Sequence, residues 1–306
     1  MQKTYDITLK FLSSKFPEHF VSLIFDGFEG DVMPLDKELP YSGHDSDYVV
    51  KIEDRRADCE DDKFILHIEF QSTRDSNMPL RMMSYYARIV DKYGLPVYPV
   101  VIYLNSDNFG PNTPDTYVNS IYDEEIMRFK YRVLKVWEMD PKIIIDKDLY
   151  GLFPILPLTN HGNTNDNKCL EACFDLVQNA DIKDGALKAD MSVCTGVLAG
   201  LRYPKELVKS LMKVEIMQES EIYQDILNEG MEKGMEKGME KGMEKGMEKG
   251  MEESIISVLS ARFGNISTNM VDMIHHIRNK SRLNELLKLA ATSRTITEFE
   301  QKIRTA

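Results

Sequence analysis

Lys63-Phe64-Ile65-Leu66-His67-Ile68-Glu69-Phe70-Gln71 is the stretch from which the fold is read. Phe64, Leu66, Ile68 and Phe70 alternate with Ile65, His67, Glu69 and Gln71. A period of two puts the first set on one face of a sheet and the second on the other. Downstream the period changes. Met82, Met83, Tyr86, Ile89, Val90 and Tyr93 recur at helical spacing and predict a helix over 80–93, which Gly94 and Pro96 stop. Val97 to Leu104 then reads as a buried strand. Upstream, Tyr48, Val49, Val50 and Ile52 make residues 47–58 strand-like. Further back, Leu9, Leu12 and Phe16 form the apolar face of an amphipathic helix over 5–25, which Pro17 divides. Helix, strand or strands, strand, helix, strand is the order of an α/β sheet domain.

The chain divides into four regions. Residues 1–150 carry the mixed pattern. Gly151, Pro154, Pro157 and the polar run Asn160 to Asn167 mark a junction. Residues 151–229 form a helical extension, with Leu170, Cys173, Phe174 and Val177 recurring at three and four. Trp137, in Val136-Trp137-Glu138, reads as core on a strand-like run. From Gly230 the sequence repeats Gly-Met-Glu-Lys and closes with Gly-Met-Glu-Glu at Gly250 to Glu253. A step of four residues advances about 40° around a helix axis, so the methionines spiral. Each glycine costs about 1 kcal/mol against alanine in a helix. Residues 230–253 read as a solvated, partly helical spacer, with a self-association helix as the sharper alternative. Residues 254–306 read as a small helical domain of three helices. The first opens at Ile255 and ends near Phe263-Gly264, and His275 and His276 are taken as surface or packing residues without acidic partners nearby.

At 306 residues the chain has room for about two domains of roughly 100–200 residues each. Its 42% apolar and 29% charged residues exclude global disorder and a fibrous protein. The segment Met1 to Lys10 lacks the charged-then-apolar pattern of a secretory signal. The apolar run Val97 to Leu104 is broken by Pro99 and is too short to span a bilayer, so a cytoplasmic protein without membrane contact is expected. Of the four cysteines, Cys59, Cys169, Cys173 and Cys194, none forms a CxxC pair. Cys169 and Cys173 stand four apart, no histidine comes after them at zinc-finger spacing, and both read as buried small hydrophobes. The 38 Lys and Arg against 50 Asp and Glu leave a net charge of −12, which argues against a broadly cationic binder. Contact with nucleic acid must then be local or metal-assisted.

The residues that offer chemistry lie around the alternating strand. Glu69 and Gln71 share a face, with His67 beside them. Asp58 sits eleven residues before Glu69, and a hairpin would let the two approach. Two carboxylates repel unless a cation lies between them, and Mg²⁺ suits hard oxygen ligands. It would activate a bound water and stabilise charge on a phosphate oxygen, and Gln71 would orient that water by hydrogen bonding. The bland alternative is a pair of solvated acids beside a turn. Asp45 and Asp47 lie in a Gly- and Ser-containing turn and rank below Asp58. Asp6, with Lys10 one turn on, is either an accessory acid or a helix N-terminal residue. Arg81 meets either a phosphate or a nearby acid. His67 is either a supporting group or a satisfied polar residue. Tyr85, Tyr86 and Tyr93 read as core packing.

Asp58, Ile65-Leu66-His67-Ile68-Glu69-Phe70-Gln71, Met78-Pro79-Leu80-Arg81-Met82-Met83-Ser84-Tyr85-Tyr86-Ala87-Arg88-Ile89, the strand Gly94 to Leu104, and Glu215 to Tyr223 leading into glycine-spaced repeats together resemble the Rpn family. These are recombination-promoting nucleases, which also carry a transposase label, within the PD-(D/E)XK nuclease superfamily. The resemblance spans most of the chain and is densest at 55–104 and 214–250. It implies a restriction-endonuclease-like core of helix, three strands, helix and strand. In that core Asp58 and Glu69 would hold Mg²⁺ or Mn²⁺, helped by the Phe70 carbonyl. Gln71 would take the position that is lysine in the superfamily name and commonly glutamine in this family. The activity implied is metal-dependent endonucleolytic cleavage of DNA linked to recombination or mobile elements. The alternative is an inactive nuclease-fold scaffold that self-associates or binds a partner, which Gln71 and the net charge of −12 favour. A purely structural coiled coil would use the repeat and ignore the α/β half.

Overall fold

The computed structural model describes residues 2–35, 48–55, 63–106, 113–162, 165–212, 217, 219–277 and 279–304. Two compact units divide it, Met1–Ile226 and Leu227–Ala306.

In the first unit, α1 (Gln2–Lys15) and α2 (Pro17–Ile24) precede β1 (Gly30–Pro34), β2 (Tyr48–Asp54) and β3 (Lys63–Gln71). Then come α3 (Met78–Tyr93) and β4 (Val97–Tyr103). A hairpin of β5 (Thr116–Ile121) and β6 (Glu124–Lys130) leads to β7 (Arg132–Lys135). The main sheet has the order β1-β2-β3-β4-β7. β1, β2 and β3 are antiparallel neighbours, with Tyr48 opposite Ile68 and Glu53 opposite Lys63. β4 lies parallel to β3, with Gln71 opposite Tyr103, as a connection through a helix allows. β7 lies parallel to β4 and starts pairing at Val100. Pro99, which has no N–H to donate, therefore sits just before that ladder begins. The element order read from the sequence is thus present as a mixed α/β fold.

The two faces of β3 divide as the alternation requires. Leu66 and Ile68 pack with Leu9, Leu12 and Phe20 of α1 and α2 in the main core. The Phe70 ring meets Phe20 edge-on at 5.7 Å. On the opposite face, Ile65 packs with Val49 and with Tyr85 and Ile89 of α3. Met78 and Met82 of α3 join Val101, Tyr103 and Phe129 beside them. Gly94 ends α3 at a φ of 65°, a left-handed turn that glycine adopts without strain.

The junction marked by Gly151, Pro154 and Pro157 is a boundary in composition, not in packing. Residues Tyr150–Leu158 form a 3₁₀ helix whose side chains from Leu152 onward are buried. They pack in the same core as α1, Ile144 of the short α4 (Lys142–Ile145), α5 (Asp166–Asn179) and α6 (Gly185–Ala199). Prolines that would break an α-helix are accommodated because this segment needs few internal bonds and fills space between helices. A Cβ at Gly151 would stand 2.2 Å from the Phe16 ring, so only glycine fits. Trp137 differs from expectation too. It lies in a 3₁₀ turn, Val136–Glu138, and is half-buried; Val136 is the residue that faces the core.

The repeat is one continuous helix rather than a partly helical spacer. It forms part of α8 (Glu221–Phe263), 43 residues long, which comes after the short α7 (Lys205–Leu211). Met231, Met235, Met239, Met243 and Met247 are all exposed. What the sequence reads as the first helix of the tail is the end of α8. Its Ile255 and Leu259 pack with α9 (Thr268–His275), α10 (Lys280–Thr292) and α11 (Ile296–Arg304). α11 is absent from the sequence reading, yet its Phe299 is fully buried. His275 differs from that reading, since its Nδ1 pairs with Glu252 Oε2 at 2.7 Å, while His276 is a surface residue whose Nδ1 lies 2.7 Å from the Asp272 backbone carbonyl.

Candidate active site

The site lies at the end of β3 and β4, on the face covered by α3. Glu69 is 2% exposed. Its Oε1 lies 3.1 Å from His67 Nε2, two residues back on the same face. Its Oε2 accepts from Arg81 at 3.1 Å. Arg81 and Tyr85 stand one helical turn apart on α3, so both reach the strand. Tyr85 meets the His67 ring edge-on at 5.4 Å. His67 is fully buried, and among the described residues its Nδ1 has no hydrogen-bond partner.

Arg81 also donates to Asp75 Oδ2 at 3.0 Å. Asp75 belongs to the turn into α3, where its Oδ1 accepts from the Asn77 N–H at 2.8 Å. One guanidinium therefore joins a buried carboxylate to a half-buried one. The burial of Glu69 is tolerable because a cation and a donor meet it. Tyr103, opposite Gln71 on β4, is 1% exposed. Burial raises its phenol pKa, the Asp75 carboxylate adds to that, and Arg81 and Arg74 oppose it.

Of the sequence candidates, Glu69 and Arg81 are in contact, and Gln71 is partly buried at the end of β3. Arg81 meets acids. The strand alternation turns the Gln71 carbonyl toward β4, where it accepts from the Leu104 N–H at 2.8 Å. The same alternation turns the Phe70 carbonyl toward the β2 edge. Asp6 lies within α1 and pairs with Lys10 at 2.9 Å. Asp58, Asp45 and Asp47 lie outside the described residues. Asp75 and Tyr103 are absent from the sequence reading. Asp75 had a turn signal in Arg74-Asp75-Ser76-Asn77, six residues before Arg81, but its ion pair with Arg81 carries no sequence pattern.

Against protein-family models, curated proteins and solved structures, the chain returns no match. Among the described residues no helix is long and apolar enough to cross a membrane.

Proposed function

We propose that the protein is a metal-dependent DNA endonuclease of the restriction-endonuclease-like type, related to the Rpn family, with Glu69 at its centre. The observation that carries this reading is a nearly inaccessible carboxylate at the end of a central strand, in a fold ordered helix, three strands, helix, strand. The donor chemistry fits Mg²⁺ or Mn²⁺. Glu69 offers hard oxygens, and the Phe70 carbonyl and one aspartate complete the set. Such an ion supplies Lewis acidity and a more acidic bound water.

Chain reach favours Asp47 over Asp58 as that aspartate. Tyr48 pairs with Ile68. Asp47 is one peptide from Tyr48, and Glu69 is one from Ile68. Tyr48 and Ile68, the paired chain neighbours of those two residues, have Cα atoms no more than about 5.5 Å apart. Asp58 is five residues from both Glu53 and Lys63, the pair at the far end of the ladder. Lys63 is roughly 20 Å along the strand from Glu69. The five residue steps from Lys63 to Asp58 span at most about 17 Å, short of that distance.

In this reading Arg81 keeps its bond to Asp75, releases Glu69 and takes a phosphate oxygen. The Gln71 amide orients the attacking water. The water's oxygen would bond to phosphorus as the bond to the leaving oxygen breaks, and one proton of that water would end on the leaving oxygen, which departs as a hydroxyl. Cleavage of supercoiled plasmid tests it: wild type is expected to cut with Mg²⁺, to stop with EDTA, and to lose activity as Glu69→Gln and Asp47→Asn while retaining it as Asp58→Asn. Loss in Asp58→Asn alone would return the second carboxylate to Asp58.

One observation favours the second reading, an inactive scaffold: the Arg81 guanidinium already occupies Glu69. Folded wild type that cuts neither supercoiled nor single-stranded DNA with either metal would establish that reading.

A further inference from the structure

Away from the Glu69 site, the start of α5 brings together side chains that suit a softer metal. Cys169 and Cys173 stand one turn apart on α5 and are 4% and 2% exposed. The chain before the helix returns His161 to them, eight residues upstream of Cys169. One potential ligand atom from each residue lies within 4.8 Å of the other two. Tetrahedral zinc, with Zn–S near 2.3 Å and Zn–N near 2.0–2.1 Å, needs ligand atoms about 3.6–3.8 Å apart. A closing movement of up to about 1 Å brings the three atoms to that spacing.

The surroundings match what a zinc site requires of its supporting groups. His161 Nε2 lies 2.7 Å from the Leu156 carbonyl oxygen and 3.2 Å from Thr159 Oγ1. The carbonyl only accepts, so Nε2 carries the proton and Nδ1 is the basic ring nitrogen. A ring N–H donated to a backbone carbonyl is the usual way a metal-bound histidine is oriented. The Tyr203 hydroxyl donates to Cys169 Sγ at 3.4 Å. Arg202 donates to the Thr159 carbonyl at 2.6 Å and the Pro157 carbonyl at 3.3 Å, which fixes the turn that leads to His161. Without a metal, burial raises the Cys173 pKa, reinforced by Cys169 and opposed by Arg202, and holds a neutral thiol.

We infer that His161, Cys169 and Cys173 bind one zinc ion, supplying three protein ligands among the described residues. Binding removes one proton from each thiol, so two thiols and Zn²⁺ give two Zn–S bonds and two released protons. Sulfur and imidazole select zinc over the oxygen-seeking Mg²⁺ of the Glu69 site, and the inference is independent of any nuclease activity. Zinc-finger spacing places a histidine after the cysteines; here the ligand precedes them, which hides the site in the sequence.

The test uses the full-length protein, stripped of metal and titrated with Co²⁺ and then Zn²⁺. One Co²⁺ per chain is expected, with thiolate-to-cobalt charge-transfer absorption that Zn²⁺ abolishes. The absorption is expected to vanish in the Cys169→Ser, Cys173→Ser double variant. His161→Ala should weaken binding by at least ~10-fold, and Cys194→Ser, a buried cysteine outside the group, should bind normally. A wild-type measurement covers the event that the variants misfold. Zn²⁺ should protect two thiols from alkylation, mapping to Cys169 and Cys173. Absence of thiolate absorption in folded wild type, its survival in the double variant, or protection mapping to other cysteines would overturn the site.

Discussion

Glu69 is a carboxylate almost wholly removed from water, and Arg81 is the cation that permits it. Removing one partner of a buried pair costs about 3–5 kcal/mol. Arg81 is about a third exposed, so Arg81→Ala is expected near the low end, roughly 3 kcal/mol. Adding Glu69→Leu should recover most of that loss, because no buried charge is then left alone. Urea midpoints of the four proteins, at unchanged denaturant slope, measure the coupling, and additive effects would show that the pair is energetically idle. The place of Glu69 on β3 was legible as an alternating strand position. Its partner was legible only as two alternatives for Arg81, because the turn holding Asp75 against α3 depends on packing that no period reports.

At the scale of elements, the junction of α2 with the Tyr150–Leu158 segment shows how tertiary packing overrides composition. His19 Nδ1 accepts the Gly151 N–H at 3.0 Å, and its ring lies edge-on to Tyr150 at 4.6 Å. Burial lowers the His19 pKa below its ordinary value near 6.5, against the opposing pull of Glu18 and Asp148. The sign comes from linkage: the unfolded chain takes the proton more readily, so this contribution is complete above about pH 6.5 and is lost as pH falls through the folded pKa. Protonation at Nδ1 also removes the acceptor. Wild type should therefore lose its stability advantage over His19→Gln between pH 8 and pH 5; a constant gap would exclude the linkage. Gly151→Ala should destabilise by about 1–3 kcal/mol or more through overpacking against Phe16, measured by thermal denaturation. Prolines and glycine made this segment look like a linker in sequence. The absence of charge between Tyr150 and Leu158 was the signal that it is core.

For the whole molecule, the two units have separate hydrophobic cores, and the exposed repeat of α8 lies within the second. The glycines of the repeat have no neighbour within 4 Å of an added Cβ. Replacing Gly234, Gly238, Gly242 and Gly246 with alanine should stabilise the helix by up to about 1 kcal/mol each, seen as slower amide exchange across 231–250. Unchanged exchange would mean that the helix is held by something other than its own propensity. The repeat was obvious in sequence. Its continuity with the tail was not, since a period of four matches neither heptad nor strand, and each glycine argues locally against helix. The chain order from α1 to β4 was legible because those strands and α3 switch period sharply, whereas the spatial order of the sheet carries no such signal.

The central claim, that Glu69 anchors a metal-dependent nuclease site, is tested most directly by one comparison. Purified full-length wild type and Glu69→Gln, matched by circular dichroism, are given supercoiled plasmid with Mg²⁺. Wild type is expected to nick the plasmid at a rate at least about 100-fold above the variant, since losing a metal ligand should cost no less than losing its supporting groups. Equal rates, or no cutting by folded wild type, would contradict the claim.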